Sequence, residues 1–204
     1  LYTFADAVKH VEDMGCRRAQ DYAEAEVLLD LLTAAGTQGV GNYLEIGCRH
    51  GWTFGIVARM VKPQVMVGID LPGVFPWGDE GSHVILSNVA QEARDAGIQA
   101  HILFADSTKQ ETLASLANLM DGFKFDCLFI DGDHKYAGVK ADFENYSPFV
   151  RDGGVIIFHD IYPPKKPKEK QIEVDILWNE LKTQYECLEI YKGGSGLGLL
   201  KYER

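Results

Sequence analysis

Five short apolar runs, each followed by a stretch with helical spacing, constrain this chain more than any other feature. They are NYLEI (42–46), VMVGI (65–69), AHILF (100–104), FDCLFI (125–130) and GVIIF (154–158). Strands that read as nearly continuous apolar runs belong to a parallel sheet covered on both faces. Helices are predicted between them, over 52–62, 82–96, 109–120 and 136–149. Such alternation gives an α/β fold with a doubly wound, Rossmann-like sheet. A further helix is predicted over about 171–184, and the runs 186–191 and 196–202 flank Gly193-Gly194-Ser195 as a hairpin. The sheet is therefore expected to end in an antiparallel pair. Residues 3–14 and 18–35 also read as helices; in the second, Ala19, Tyr22, Ala23, Val27, Leu28, Leu31 and Leu32 recur at helical spacing. The expected organisation is one domain over 1–204, a helical cap (1–38) packed on a core (39–204). Two long loops fall at 71–81 and 161–170, and Phe75, Pro76 and Trp77 in the first read equally as a lid or as packing aromatics.

The formal charge of −10 over 204 residues argues against a nucleic-acid partner, because phosphate-backbone binding needs clustered Lys and Arg. No apolar run approaches the length that spans a bilayer, so no membrane partner is expected. Cys16, Cys48, Cys127 and Cys187 lie far apart with no CxxC, which reads as reduced thiols in a cytoplasmic protein.

The turn after the first strand, EIGCRHG, poses the functional question. A dinucleotide cradle, G-x-G-x-x-G from Gly47, needs glycines at 49 and 52, where Arg49 and Trp52 stand. A phosphate loop of the G-x-x-x-x-G-K-S/T kind also needs glycine at 52. What remains is Glu45, Gly47 and Gly51: a tight turn whose acid repels phosphate and suits an ammonium or sulfonium. Asp70, followed by Leu71, ends the second strand, at about the 20-residue distance from which a carboxylate grips a ribose diol. Asp106 and Ser107 end the third and suit an adenine edge. Ribose and adenine grips without a phosphate cradle fit S-adenosylmethionine. Taken singly, each signal is also a turn glycine or a helix cap.

LEIGCRHG, VGID, FDCLFIDGDHKYAGVKADFENYSPFVRDGGVIIFHD and the terminal GSGLGLL carry a resemblance over nearly the whole length. The chain resembles the class I S-adenosylmethionine-dependent methyltransferases. It is most similar to the small O-methyltransferase-like group that includes cephalosporin hydroxylase-type and macrolide-sugar enzymes. The resemblance implies seven strands, the last antiparallel, and methyl transfer to a hydroxyl of a small-molecule acceptor.

Open α/β sheets bind ligands outside the carboxyl ends of their strands. Asp131 and Asp160 share that edge, and neighbouring carboxylates there suit a hard divalent cation such as Mg2+. Similar cation-dependent O-methyltransferases take their ligands from an Asp after strand four and an acidic or amide pair after strand five. Those positions match Asp131 and the pair His159-Asp160, and Asp131 also borders the cofactor. His159 departs from the acid found in catechol-type enzymes, and imidazole suits manganese, iron or zinc better than magnesium. The catechol-type enzymes carry a base three residues after that first Asp, where this chain has His134; a cap on the following helix or a bond to Asp133 is its structural alternative. A homo-oligomer formed through the N-terminal helices is a further expectation. Two alternatives stay open: an adenosyl-ligand binding protein without catalysis, and a hydroxylase-type enzyme on the same scaffold.

Overall fold

The computed structural model describes residues 2–34, 41–71, 81–162, 172–191 and 194–203. The candidate lid, Phe75 to Trp77, and most of the loop 161–170 lie outside the described residues. The strands are β1 (Asn42–Ile46), β2 (Val65–Asp70), β3 (Gln99–Phe104), β4 (Phe125–Ile130), β5 (Val150–His159), β6 (Cys187–Tyr191) and β7 (Leu197–Tyr202). They form a seven-stranded sheet in the order β3-β2-β1-β4-β5-β7-β6. The pairs from β3 through to β5 are parallel, and β7 runs antiparallel to both β5 and β6. This is the expected Rossmann-like sheet of seven strands.

The helices are α1 (Phe4–Asp13), α2 (Tyr22–Ala34), α3 (Trp52–Met60), α4 (Ser82–Asp95), α5 (Gln110–Met120), α6 (Tyr136–Tyr146) and α7 (Val174–Leu181). Alternation along each strand splits the core in two. Tyr43, Cys127, Phe129 and Ile157 pack with Val11, Leu28, Phe54 and Val89 from α1 to α4. Leu44, Leu128, Ile130 and Phe158 pack with Leu116, Val139, Tyr146 and Trp178 from α5 to α7.

Local chemistry moves several predicted boundaries. A capping box starts α1: Asp6 N–H donates to the Thr3 hydroxyl, and the Asp6 carboxylate accepts from Thr3 N–H. The helix predicted over 136–149 gives way to a 3₁₀ turn at Ser147–Phe149, because Pro148 has no N–H to continue the ladder. β5 starts earlier than predicted, at Val150, with a register shift against β4 between Phe125 and Cys127.

The largest difference is in α2. It begins at Tyr22 rather than at 18, and its buried stripe is Glu24, Ala25, Leu28, Leu29 and Leu32. Ala19, Tyr22 and Ala23, predicted to face inward, are exposed. The stripe is rotated because a carboxylate lies inside it, and that carboxylate has partners there. The four cysteines are free thiols, as predicted, and three of them are buried.

Candidate active site

Strand order reverses between β1 and β4, which is where open α/β sheets leave a ligand crevice. Backbone bonds tie the β1 turn to β2 and the β4 loop to the end of β1. Gly47 N–H donates to the Ile69 carbonyl at 2.9 Å, and Asp131 N–H donates to the Ile46 carbonyl at 2.9 Å. Gly47 has φ 90°, and a Cβ there would lie 2.1 Å from the Asp131 carbonyl oxygen. The glycine of the first turn is thus dictated by the approach of the β4 loop. Gly51 has φ 83° and precedes α3 with no side-chain cap; a Cβ there would meet Leu86 at 2.9 Å.

Glu45 and Asp70, the two acids of this turn, differ in kind. Glu45 is 1% exposed and accepts a hydrogen bond from the Tyr43 hydroxyl at 2.8 Å. Burial pushes its carboxyl up to about 8, against the Tyr43 hydrogen bond and with help from the Asp131 and Asp70 charges. It therefore holds a proton inside the sheet's first face at neutral pH, and the charge expected of it at the edge rests on Asp70 and Asp131 instead. Asp70 accepts the Arg49 N–H, which ties the β1 turn to β2. Burial raises its carboxyl, offset in part by the backbone N–H groups of Arg49, Leu71 and Cys48. Arg49 adopts φ 52°, and Leu71 beside Asp70 is 46% exposed.

At the β3 end, Asp106 Oδ1 accepts both the N–H (2.9 Å) and the hydroxyl (2.7 Å) of Thr108. These bonds hold its carboxyl below the usual range. Tyr146 hydroxyl donates to the Ser107 carbonyl at 2.7 Å. The loop expected to meet adenine is therefore fixed before any ligand arrives. Beneath it lies Asp142, which sequence reasoning left unassigned. It is wholly buried, and burial pushes its carboxyl up to about 7, with the Asp133 and Asp106 charges adding and Ser107 opposing.

The densest constellation lies where β4 and β5 end. His134 Nδ1 is 2.8 Å from Asp160 Oδ2. His159 Nδ1 is 3.1 Å from Asp131 Oδ1 and 3.5 Å from Asp160 Oδ1. Burial alone would raise Asp160, but the hydrogen bonds and charges of His134 and His159 hold it well below the carboxylate range. Burial disfavours a charge on either histidine. Burial is the largest single influence on each, but the Asp160 hydrogen bond with the Asp131 and Asp160 charges together outweigh it at His134, and the Asp131 charge with hydrogen bonds to Asp131, Asp160 and Glu24 together outweigh it at His159, so both are raised. Asp160 itself has φ 61°, a left-handed backbone that costs a non-glycine residue on the order of 1 kcal/mol or more. Strain of this kind persists where the surroundings over-determine it, as the two histidines do here.

Ligand atoms of Asp131, His134 and Asp160 all lie within 4.8 Å of one another, the spacing of a metal-binding group. The predicted set was Asp131, His159 and Asp160. His159 lies beside that group but turns its Nε2 to Glu24 Oε2 at 3.3 Å. Glu24 is the second residue that sequence reasoning missed. The available signal was an acid in register with Leu28 and Leu32 on the apolar stripe of α2, where an unpaired charge is costly.

The sheet order, with acids at the ends of β2, β3, β4 and β5, is that of the class I S-adenosylmethionine-dependent methyltransferases. The chain belongs to the methyltransferase-domain family, whose profile matches residues 44–161. The TomG O-methyltransferase of Streptomyces achromogenes, solved with S-adenosylmethionine, superposes with TM-score 0.68 at 16% identity over 98% of this chain and 89% of its own. An S-adenosylhomocysteine-bound methyltransferase of Podospora anserina gives TM-score 0.68 at 14% identity over 98% and 88%. In sequence, the chain is 28% identical over 161 residues to a protein of Acanthamoeba polyphaga mimivirus, covering 76% of this chain and 70% of that one. A Sinorhizobium fredii protein is 31% identical over 156 residues, but the chain spans only 16% of its length. Among the described residues no helix is long and apolar enough to cross a membrane.

Proposed function

We propose that this chain is an S-adenosylmethionine-dependent O-methyltransferase acting on a hydroxyl of a small molecule, a sugar or a natural product. The observation that carries the reading is the His134–Asp160 pair at 2.8 Å, set beside Asp131 at the crevice edge. TomG, which shares the fold, is an O-methyltransferase involved in tomaymycin synthesis, which favours a natural-product acceptor.

The cofactor, when bound, supplies an activated methyl group on a sulfonium. The donor set fits it: a carboxylate at the β2 end, a fixed polar loop at the β3 end, and no phosphate cradle. Asp70, with Leu71 beside it, would hold the ribose, and Asp106 and Ser107 the adenine. Gly47 and Gly51 shape the turn, Glu45 supports it from inside, and Asp131 closes it from the β4 side. His134 takes the acceptor's hydroxyl proton, while Asp160 accepts its Nδ1–H and fixes the ring, the division of labour seen in other His–Asp pairs. The single-domain organisation and a reducing, cytoplasmic location are part of the same proposal, and free thiols suit the latter.

The Asp131–His134–Asp160 group favours a second, cation-assisted version. Two carboxylates and an imidazole suit manganese, iron or zinc more than magnesium. A cation held by Asp131, His134 and Asp160 would lower the pKa of the acceptor hydroxyl, and His134 would then be a ligand rather than a base.

Calorimetric titration with S-adenosylmethionine, without and then with Mn2+ or Mg2+, tests both versions. Binding without metal supports the first, and binding that strengthens with Mn2+ supports the second. No binding in either buffer removes the methyltransferase reading.

A further inference from the structure

Helix α2 comes from the segment that reads as a packing cap, yet it carries a carboxylate into the site. Glu24 is 2% exposed. Its Oε2 lies 3.3 Å from His159 Nε2 and accepts the Asp21 N–H at 3.3 Å; its Oε1 accepts the Gly196 N–H at 3.2 Å. A Cβ at Gly194 would lie 2.7 Å from the same Oε1. The carboxylate is thus clamped where the start of α2, the loop before β7 and the end of β5 meet. Two backbone N–H groups hold the Glu24 oxygens independently of His159.

His159 is joined on its other side to Asp131 and Asp160. Both ring nitrogens therefore face carboxylate oxygens, and a carboxylate oxygen can only accept. The geometry points to Glu24 as a positioning residue: it takes the Nε2–H of His159 and so aims Nδ1 between Asp131 and Asp160. An imidazole aimed in this way is a donor between two acids rather than a metal ligand. It keeps two close carboxylates from repelling each other and leaves Asp160 Oδ2 to His134. Second partners of this kind set ring orientation and tautomer around catalytic and metal sites. What the aimed ring serves rests on the O-methyltransferase reading; the ring geometry itself does not.

The test is a long-range proton–nitrogen correlation spectrum of the full chain with ¹⁵N-histidine at pH 7, with His159 assigned by its loss in His159→Asn. In the wild-type protein Nε2 is expected to carry a proton. In Glu24→Gln the amide has one acceptor oxygen for N–H groups that a carboxylate meets with two, and the charge is gone. The His159 nitrogen signals are then expected to shift, or the Nε2 proton to be lost to exchange with water. A bare Nε2 in the wild type overturns the proposal without any variant. So does a Glu24→Gln spectrum that matches the wild type at His159, even if the variant melts lower, since a packing role alone moves the melting temperature and not the ring. S-adenosylhomocysteine titrated into the same wild-type sample separates the two readings. Absence of binding sinks the methyltransferase assignment while the nitrogen signals still decide the role of Glu24.

Discussion

His134 and Asp160 sit at the ends of adjacent strands and meet through Nδ1 and Oδ2 at 2.8 Å. If this pair removes the acceptor's proton, His134→Asn is expected to lower turnover by about 10²- to 10⁴-fold, the usual worth of a general base. Cofactor affinity should stay within about twofold, since the side chain is assigned to the acceptor. The base must be neutral, and Asp160 holds its proton on, so the rate should rise with pH through a midpoint above the ordinary histidine value of 6.5. Asp160→Asn should move that limb to lower pH. Radiolabelled methyl transfer to a panel of hydroxylated acceptors, followed across pH, checks this. A flat profile in the wild type would remove His134 from the role.

Asp70 serves the backbone N–H groups of Arg49, Leu71 and Cys48 and, in this reading, also the ribose of the cofactor. Hydrogen bonds to a charged group contribute about 1.5–3 kcal/mol. Asp70→Asn is therefore expected to weaken S-adenosylhomocysteine binding by roughly 10- to 100-fold. The variant should remain folded, since Asn still offers an acceptor to Arg49 N–H. Calorimetric affinities of the two proteins decide it, and equal values would contradict the ribose assignment.

Two glycines with the same backbone isolate the cost of the approach between loops. Gly47 and Gly97 both have φ 90°, but a Cβ at Gly97 meets nothing within 4 Å, whereas at Gly47 it meets backbone of Asp131 and Gly132. Gly97→Ala should cost only the left-handed strain, about 1–2 kcal/mol. Gly47→Ala must also push the β4 loop from the β1 turn, so it should lose several kcal/mol and cofactor binding together. Denaturant melts of both variants, with titrations of each, test the comparison. Equal losses would mean that the contact with Asp131 yields easily.

The strands, the sheet class and the acids at the strand ends were legible because they are local. An apolar run such as FDCLFI declares a buried strand, and Asp70 and Asp131 follow such runs directly, with Asp106 one residue further on. Glu24 was legible only as an acid in register with an apolar stripe; its role was not, because that depends on His159, 135 residues along the chain. Periodicity placed a helix over 18–35, four residues early at its start, and did not say which side faces inward, since Tyr22 and Ala23 look as apolar as Ala25 and Leu29. The direction of His159 was hidden for the same reason: HD at a strand end shows two ligand-type residues and not which of them is already engaged. For Gly47 the residue was read correctly as a turn, while its cause, the Asp131 carbonyl, comes from another strand.

Glu45 offers a prediction that needs neither cofactor nor acceptor. Its carboxyl is pushed from 4.5 up to about 8, with burial as the first cause. A folded state that holds a proton more tightly than the unfolded chain loses stability as pH rises between the two values. The Glu45 contribution should therefore be fully favourable below pH 4.5, fall between pH 4.5 and 8, and level off above. Glu45→Gln keeps a neutral group of the same shape that still accepts from the Tyr43 hydroxyl, and it removes the titration. The stability of the variant relative to the wild type should thus rise by a few kcal/mol between pH 5 and pH 8.5, since each pK unit is worth about 1.4 kcal/mol. Urea unfolding of both proteins at those two pH values measures the difference directly, with all other titrating groups cancelling to first order. A difference that does not change with pH would show that Glu45 ionises normally in the fold. It would then return a negative charge to the β1 turn, where a sulfonium-bearing cofactor would meet it.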